Sequence, residues 1–331
     1  MNGLLFIDDE EGVRRSMTRA LKREPYQTYT ARNGQEGIDF VEANLSLVEI
    51  VISDYKMPGI DGLETLSTIG ALNPEVTRII LTGYATMEAA IDATNEGIDG
   101  FLTKPFDNVE LRAKIHEISV RKYLRQFVPE QIYQKIIAAS GALDPTYQEV
   151  TILFSDIRDF THMSQGVPPD TIAAFLNNQY FTPMGEIAYR FNGTVDKHIG
   201  DSIMLVFGAP VPSDDDALRA VRAAIEMQKK ADEISRDLAS SNGLKLGTGI
   251  SIATGEVFSG ILGSRRRKEF TSIGMPVNIA SRLQRFAKAG EIVMTEDTYV
   301  KVSDEIDATP LPPITVKGID EPMTIYRVDD M

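Results

Sequence analysis

Leu4-Leu5-Phe6-Ile7-Asp8-Asp9-Glu10 runs four apolar residues straight into three acids, the pattern of a strand buried on both faces that ends at a polar rim. Four more short runs follow at Tyr26–Thr30, Val48–Ser53, Val76–Leu81 and Gly100–Thr103. Amphipathic stretches separate them; in Met87 to Glu96, Met87, Ala90, Ile91 and Thr94 fall on one helical face. Five strands alternating with five helices predict a doubly wound parallel sheet. The functional crevice of such a sheet lies at the carboxyl ends of its strands. Here those ends carry Asp8 and Asp9, Asp54, Thr82 and Lys104.

This first domain, residues 1–120, is expected to be flavodoxin-like, with the helix over 107–125 carrying Leu111, Ile115 and Ile118 on one stripe. Pro129 suits the first turn of a second short helix bearing Ile132, Ile136 and Ile137, which stops near Ser140-Gly141. Residues 121–146 therefore read as a helical linker. From 147 to 331 the pattern changes: a strand at Val150–Ser155, long helices near 168–191 and 213–240, and hairpin signals at Phe191-Asn192-Gly193-Thr194 and Ala253-Thr254-Gly255-Glu256. A second α/β domain with a mixed, mainly antiparallel sheet is expected there.

The composition sets bounds on function. The 331 residues suffice for two domains, and 43% hydrophobic with 25% charged residues suits a globular chain. There is no cysteine, hence no disulfide, thiol nucleophile or thiolate zinc site, and a reducing cytoplasm is the expected location. No apolar run reaches the ~20 residues of a membrane helix, and no secretory signal pattern opens the chain, so no membrane partner is expected. A net charge of −14, from 34 Lys and Arg against 48 Asp and Glu, argues against nucleic acid as the main partner. A nucleotide substrate stays open, because site carboxylates can recruit a metal that holds phosphate.

Asp8, Asp9 and Asp54 at one sheet edge make a hard-oxygen site suited to Mg²⁺. A hydroxyl at Thr82 and an ammonium at Lys104 could meet extra phosphoryl oxygens beside it. The segments Phe6-Ile7-Asp8-Asp9-Glu10, Ser53-Asp54-Tyr55-Lys56-Met57-Pro58-Gly59, Leu81-Thr82-Gly83-Tyr84-Ala85 and Thr103-Lys104-Pro105-Phe106 together resemble the receiver domain of two-component response regulators. That resemblance implies Asp54 as phosphoacceptor for a histidine kinase. It also implies Asp8 and Asp9 as magnesium ligands, with the Lys56 carbonyl completing the shell. Thr82 and Lys104 are implied as phosphoryl contacts, Phe101 as the aromatic switch, and Lys104-Pro105 as a cis peptide.

In the second domain, Asp156 ends an apolar strand and Asp201 sits in a hairpin before Ile203–Phe207. Two such carboxylates can hold divalent ions ~3.5–4 Å apart, which suits an in-line phosphoryl displacement. Asn278 and Arg282, four apart on a predicted helix, project from one face. The strings Leu153-Phe154-Ser155-Asp156-Ile157-Arg158-Asp159-Phe160-Thr161, Asn192-Gly193-Thr194-Val195-Asp196-Lys197-His198-Ile199-Gly200-Asp201 and Phe270-Thr271-Ser272-Ile273-Gly274-Met275-Pro276-Val277-Asn278-Ile279-Ala280-Ser281-Arg282 resemble class III nucleotidyl cyclases of the cyanobacterial and soluble adenylyl type. The resemblance implies two Mg²⁺ or Mn²⁺ ions on Asp156, Asp201 and the Ile157 carbonyl. It implies base reading by Lys197 and Thr271, ribose and transition-state contacts by Asn278 and Arg282, and a triphosphate contact by Lys317. It further implies a homodimer whose sites combine the aspartates of one subunit with the remaining residues of the other. Met275 departs from the family's usual aspartate.

Lys197 offers a donor to adenine N1, and the Thr271 hydroxyl can accept from the exocyclic amine. ATP conversion to cyclic AMP and pyrophosphate is the expected reaction, with guanylyl cyclase or a silent nucleotide-binding scaffold as alternatives. No helix-turn-helix segment supports a DNA-binding regulator, and Gly200-Asp201-Ser202-Ile203 is not a diguanylate cyclase signature. Asp214-Asp215-Asp216 reads as a helix first turn, Arg265-Arg266-Arg267-Lys268 as a solvated hairpin turn, and His116, His162 and His198 as surface or capping residues. Ala217, Val221, Ala224 and Ile225 form a core stripe.

Overall fold

Strands β1 (Asn2–Ile7), β2 (Tyr26–Ala31), β3 (Val48–Asp54), β4 (Thr77–Thr82) and β5 (Gly100–Thr103) form one parallel sheet in the order β2-β1-β3-β4-β5, as the alternating pattern predicted. The computed structural model describes residues 2–22, 24–83, 97–125, 128–129, 132–133, 135, 144–242, 246–264, 268–318 and 321–329. The chain divides into two units, Met1–Phe127 and Val128–Met331.

Strand β1 shows why the first unit folds as it does. Leu4 and Phe6 join the cluster beneath α1 (Glu11–Leu21) and the helix Asn108–Arg125, here α4, which contributes Leu111, Ile115 and Ile118. Leu5 and Ile7 join the opposite cluster with Ile38 and Val41 of α2 (Gly34–Ala43) and Leu66 and Ile69 of α3 (Gly62–Leu72). All four β1 side chains are fully buried, so successive residues face different helix layers and the run needs no polar partner. Asn33 and Asp61 cap α2 and α3, each accepting a backbone N–H three residues on at 2.9 Å.

The second unit is built on an eight-stranded sheet. Strands β6 (Thr146–Ile157), β7 (Thr194–Ile199), β8 (Ser202–Phe207), β9 (Thr248–Gly263), β11 (Ile292–Thr295), β12 (Ala308–Pro310) and β13 (Ile325–Val328) take the order β12-β13-β11-β9-β6-β8-β7. Strand β10 (Lys268–Ile273) pairs with the far half of β9. All pairings are antiparallel except that of β11 with β9. One face packs on α5 (Phe160–Met163), the run α6 (Pro169–Phe175) to α7 (Thr182–Arg190), and the long α8 (Asp216–Asn242). In α8 the expected stripe is present: Ala217, Val221 and Ala224 are buried, with Ile225 packed beside them. Helix α9 (Met275–Leu283) covers Val150, Ile152, Phe154 and Met204 on the other face through Ala280, and α10 (Glu296–Val302) follows β11.

Two expected hairpins are corrected. Phe191–Thr194 is a helix end: Asn192 adopts φ 55° and the Gly193 N–H donates to the Ala188 carbonyl at 2.8 Å, turning α7 into β7. Ala253–Glu256 is the interior of the 16-residue β9. A Cβ at Gly255 would stand 2.8 Å from Pro276, so this glycine serves the close approach of α9, not a turn. The long helix near 168–191 is also interrupted, since Leu176–Phe181 forms a π-helical segment between α6 and α7.

The acids before α8 behave as expected of a helix start. Asp216 accepts the Ser213 N–H at 2.7 Å, and Arg219 pairs with both Asp215 and Asp216. Pro129 accepts from the Ile132 and Tyr133 N–H groups at 3.0 Å, the beginning of a helical turn. The helix expected over Met87–Glu96, the pair Tyr84-Ala85, the stretch Ile136–Gly141 and Arg265–Arg267 lie outside the described residues.

Candidate active site

In the first unit the ends of β1, β3 and the loop after β5 converge. Lys104 Nζ lies 2.6 Å from an Asp54 oxygen and 3.3 Å from an Asp8 oxygen. Asp8 is buried and also accepts the Glu10 N–H at 2.8 Å. Burial pushes its carboxyl above the ordinary range, against the downward pull of that N–H and of Lys104. Burial alone would lower the Lys104 ammonium, but the two carboxylates hold it above its ordinary value. The Lys104 N–H donates to the Thr82 carbonyl at 2.8 Å, which brings the buried Thr82 beside the same rim. Lys104-Pro105 is cis. Asp9 and Lys56 are exposed next to Asp8 and Asp54, and Phe101 is half-buried against the cluster holding Ile7 and Ile80.

The second unit brings Asp156 and Asp201 to one sheet end. Asp156 lies one residue beyond the Ser155–Ile203 pair of β6 and β8, and Asp201 stands in the tight turn between β7 and β8. The two carboxylates stand close enough for the Asp201 charge to act on Asp156. Burial and the Asp201 charge push Asp156 up to about 6, although Arg158 opposes the rise from 2.6 Å away. Both line an open cleft of about 630 Å³ together with Ile157, Asp159, Phe160, Thr161, His162 and Gln165.

A hydrogen-bonded layer sets the ends of these strands. Tyr180, fully buried within the π-helical segment, bonds Ser155 Oγ at 2.9 Å. Ser202 Oγ donates to the Ser155 carbonyl at 3.2 Å and receives Gln284 Nε2 at 2.8 Å. The extra residue in each turn of a π-helix offsets Tyr180 from the α-helical register. Sequence periodicity carries no sign of this, and Tyr180 is not singled out there.

Lys197 and Thr271 come together on a second feature, through a residue that sequence reading passed over. The β7–β8 register shifts between Val195 and Lys197, leaving Asp196 in a bulge. Asp196 then receives the Thr271 hydroxyl at 3.1 Å and lies 3.4 Å from Lys197 Nζ. Glu269 meets the same ammonium at 3.1 Å from the exposed side. Burial raises the Asp196 carboxyl above the ordinary range despite Lys197 and Thr271. Lys197 in turn rises, the charges of Asp196 and Glu269 overcoming its burial.

Asn278 and Arg282 share α9. Asn278 is exposed, with its amide 3.4 Å from the Gly274 carbonyl, and Arg282 donates to the Lys317 carbonyl. The Lys317 side chain is exposed beside Gly318. Met275 is 54% exposed at the first position of α9, so no core contact depends on it. Lys197, Thr271, Asn278 and Arg282 are not among the residues lining the Asp156–Asp201 cleft. His162 lines that cleft, His198 lies against the Phe181 ring at 4.2 Å, and His116 is exposed.

No helix among the described residues is long and apolar enough to cross a membrane. Residues 143–330 match the adenylate and guanylate cyclase catalytic domain, and residues 4–116 the response regulator receiver domain. The terminal-differentiation-specific adenylate cyclase of Dictyostelium discoideum is 35% identical over 223 residues, covering 62% of this chain and 10% of that protein. The adenylyl cyclase CyaB from P. aeruginosa superposes with a TM-score of 0.55 at 35% identity, over 57% of this chain and 97% of that one. The guanylyl cyclase Cya2 gives 0.53 at 33% identity, over 56% and 94%. The matched stretch spans 10%, 31% and 41% of three curated adenylate cyclases. The chain belongs to the class III adenylate and guanylate cyclase family and carries a response regulator receiver domain ahead of its catalytic domain.

Proposed function

We propose that the protein is a receiver-controlled adenylyl cyclase that converts ATP to cyclic AMP and pyrophosphate. The observation that carries the chemistry is the Asp156–Asp201 pair, two interacting carboxylates that line one open cleft. Hard oxygen donors that repel one another are matched to divalent cations, and the Ile157 carbonyl adds a third oxygen. Two Mg²⁺ or Mn²⁺ ions bound there supply Lewis acidity and charge neutralisation at the triphosphate.

The chain's own residues orient the substrate. Lys197 and Thr271 read the purine edge, Asn278 orients the ribose, and Arg282 neutralises charge that develops on the α-phosphate. Lys317 contacts the triphosphate. The 3′-oxygen bonds to the α-phosphorus as the bond to pyrophosphate breaks, with release of one proton. Arg282 must exchange its bond to the Lys317 carbonyl for the phosphate. By the family resemblance a complete site draws Lys197, Thr271, Asn278 and Arg282 from a second subunit, which makes the homodimer the active form; their absence from the cleft lined by the aspartates supports this reading. Guanine presents the opposite hydrogen-bonding order to Lys197 and Thr271, and this favours ATP over GTP.

In the receiver, Asp54 accepts phosphate from a histidine kinase, with Mg²⁺ held by Asp8, Asp9, Asp54 and the Lys56 carbonyl. Lys104, already bonded to Asp54, and Thr82 take the phosphoryl oxygens. Phe101 and the linker over 121–146 carry the change toward the cyclase dimer. The test is cyclic nucleotide production from ATP and GTP with Mn²⁺ or Mg²⁺, with and without acetyl phosphate. Cyclic AMP as main product, at a rate altered by acetyl phosphate, is expected. Absence of any cyclised product refutes the proposal.

A further inference from the structure

Between the two base-reading residues stands a side chain that no role above requires. The Asp196 side chain is only 3% exposed. A regular strand would send Asp196 and Lys197 to opposite faces, but the bulge in β7 turns the carboxylate toward Thr271 and keeps it within 3.4 Å of the ammonium. This arrangement fixes which way protons point.

A carboxylate has no proton to give, and a threonine hydroxyl has a single one. With its hydrogen donated to Asp196, Thr271 has only lone pairs left for a ligand. Lys197 has three hydrogens; one is directed at Asp196 and one at Glu269, leaving a donor for the ligand. The pair therefore presents acceptor beside donor. Adenine carries the complementary pair, an amine at C6 and a bare N1, while guanine carries a carbonyl at C6 and a protonated N1.

We propose that Asp196 is a positioning residue that sets purine specificity by locking the Thr271 hydroxyl as an acceptor and anchoring Lys197 as a donor. The proposal rests on the ATP reading and on Lys197 and Thr271 as the residues that meet the base. Without the carboxylate, Thr271 rotates its hydrogen outward and accommodates a carbonyl as readily as an amine. Asp196→Asn keeps shape and volume while giving Thr271 an amide that can itself donate.

The test uses the full chain with Mn²⁺, comparing kcat/KM for ATP and GTP. Asp196→Asn is expected to lower the ATP-to-GTP ratio about tenfold or more, the worth of one misdirected hydrogen bond. In a Thr271→Val background the same change should move the ratio far less than it does in wild type, because the hydroxyl through which Asp196 sets acceptor character is gone and only its hold on Lys197 is left. A merely structural Asp196 would lower both substrates alike and keep the ratio, and that result overturns the proposal. Wild-type protein gives a reading that needs no variant. Inosine triphosphate, with a carbonyl at C6 and no 2-amine, should fall about tenfold or more below ATP; equal turnover overturns the proposal even should Asp196→Asn fail to fold. A wild type that prefers GTP or forms no cyclic product instead refutes the ATP reading, and the role of Asp196 falls with it.

Discussion

Asp156→Asn should make the metal-free protein more stable while abolishing catalysis. The Asp156 carboxyl rises from an ordinary 3.8 to about 6 because burial and Asp201 both disfavour its charge. At ~1.4 kcal/mol per pH unit, ionised Asp156 costs the folded state about 3 kcal/mol relative to its neutral form. The side chain is 27% exposed, so solvent screening trims the expected gain to about 2 kcal/mol. The folded state holds this proton more tightly than the unfolded chain, so stability is greatest below 3.8 and is lost as pH rises through about 6. Asparagine copies the neutral carboxyl and escapes that loss. In EDTA at pH 7.5 its advantage should appear in calorimetry as a rise of about 4–8 °C in the cyclase transition, at ~2–4 °C per kcal/mol. At pH 5 the advantage should shrink to roughly half, since wild-type Asp156 is then largely protonated when folded. Manganese should reverse the order by stabilising wild type alone. A variant that melts at or below wild type in EDTA at pH 7.5 would show that Asp156 and Asp201 do not repel as described.

Mixing inactive Asp156→Ala with inactive Arg282→Ala should restore about a quarter of wild-type activity, because random exchange makes half the dimers mixed, each with one intact site. No recovery after subunit exchange counts against a shared site. Tyr180→Phe leaves Ser155 Oγ without its buried partner, and the chemical denaturation midpoint should report a loss of about 1–2 kcal/mol. Acetyl phosphate with Mg²⁺ should label wild type and leave Asp54→Ala unlabelled, as read by intact mass; label on the variant rules out Asp54 as the acceptor. Manganese affinity measured by calorimetric titration should weaken about tenfold from pH 7 to pH 5 as protons compete for Asp156.

What the sequence discloses depends on whether one residue's environment is set locally. Leu4 to Ile7 are legible because a parallel strand buried on both faces needs apolar residues at every position, and the acids after it mark the rim. Gly255 misleads because a glycine placed for the approach of Pro276 is written with the same letter as a turn glycine. Asn192-Gly193 misleads in the same way, since a left-handed residue ends helices as readily as it closes hairpins. Tyr180 and Asp196 are beyond sequence reading for a stricter reason. Each depends on a single-residue slip, a π-helical register in one case and a bulge in the other, and periodicity analysis assumes that no such slip occurs.

Burial raises the carboxyls of Asp8, Asp156 and Asp196, and their neighbours decide what each can do. Asp196 faces the Lys197 ammonium and a donated hydroxyl, so its charge is met within the protein and its remaining effect is to direct protons. Asp8 and Asp54 share the ammonium of Lys104, and Asp156, which feels the charge of Asp201, pairs with the guanidinium of Arg158. Two acids against one base leave an excess negative charge at both rims, partly shielded from water, where it is expensive to keep without a counter-ion. A divalent cation would remove that cost and at the same time attract phosphate, so under the proposed function the imbalance that destabilises the free protein is what suits each rim to phosphoryl chemistry. By the same reasoning, Lys104→Ala should tighten Mg²⁺ binding at the receiver while weakening retention of the phosphoryl group, and the opposite pair of changes would sink the charge-balance argument.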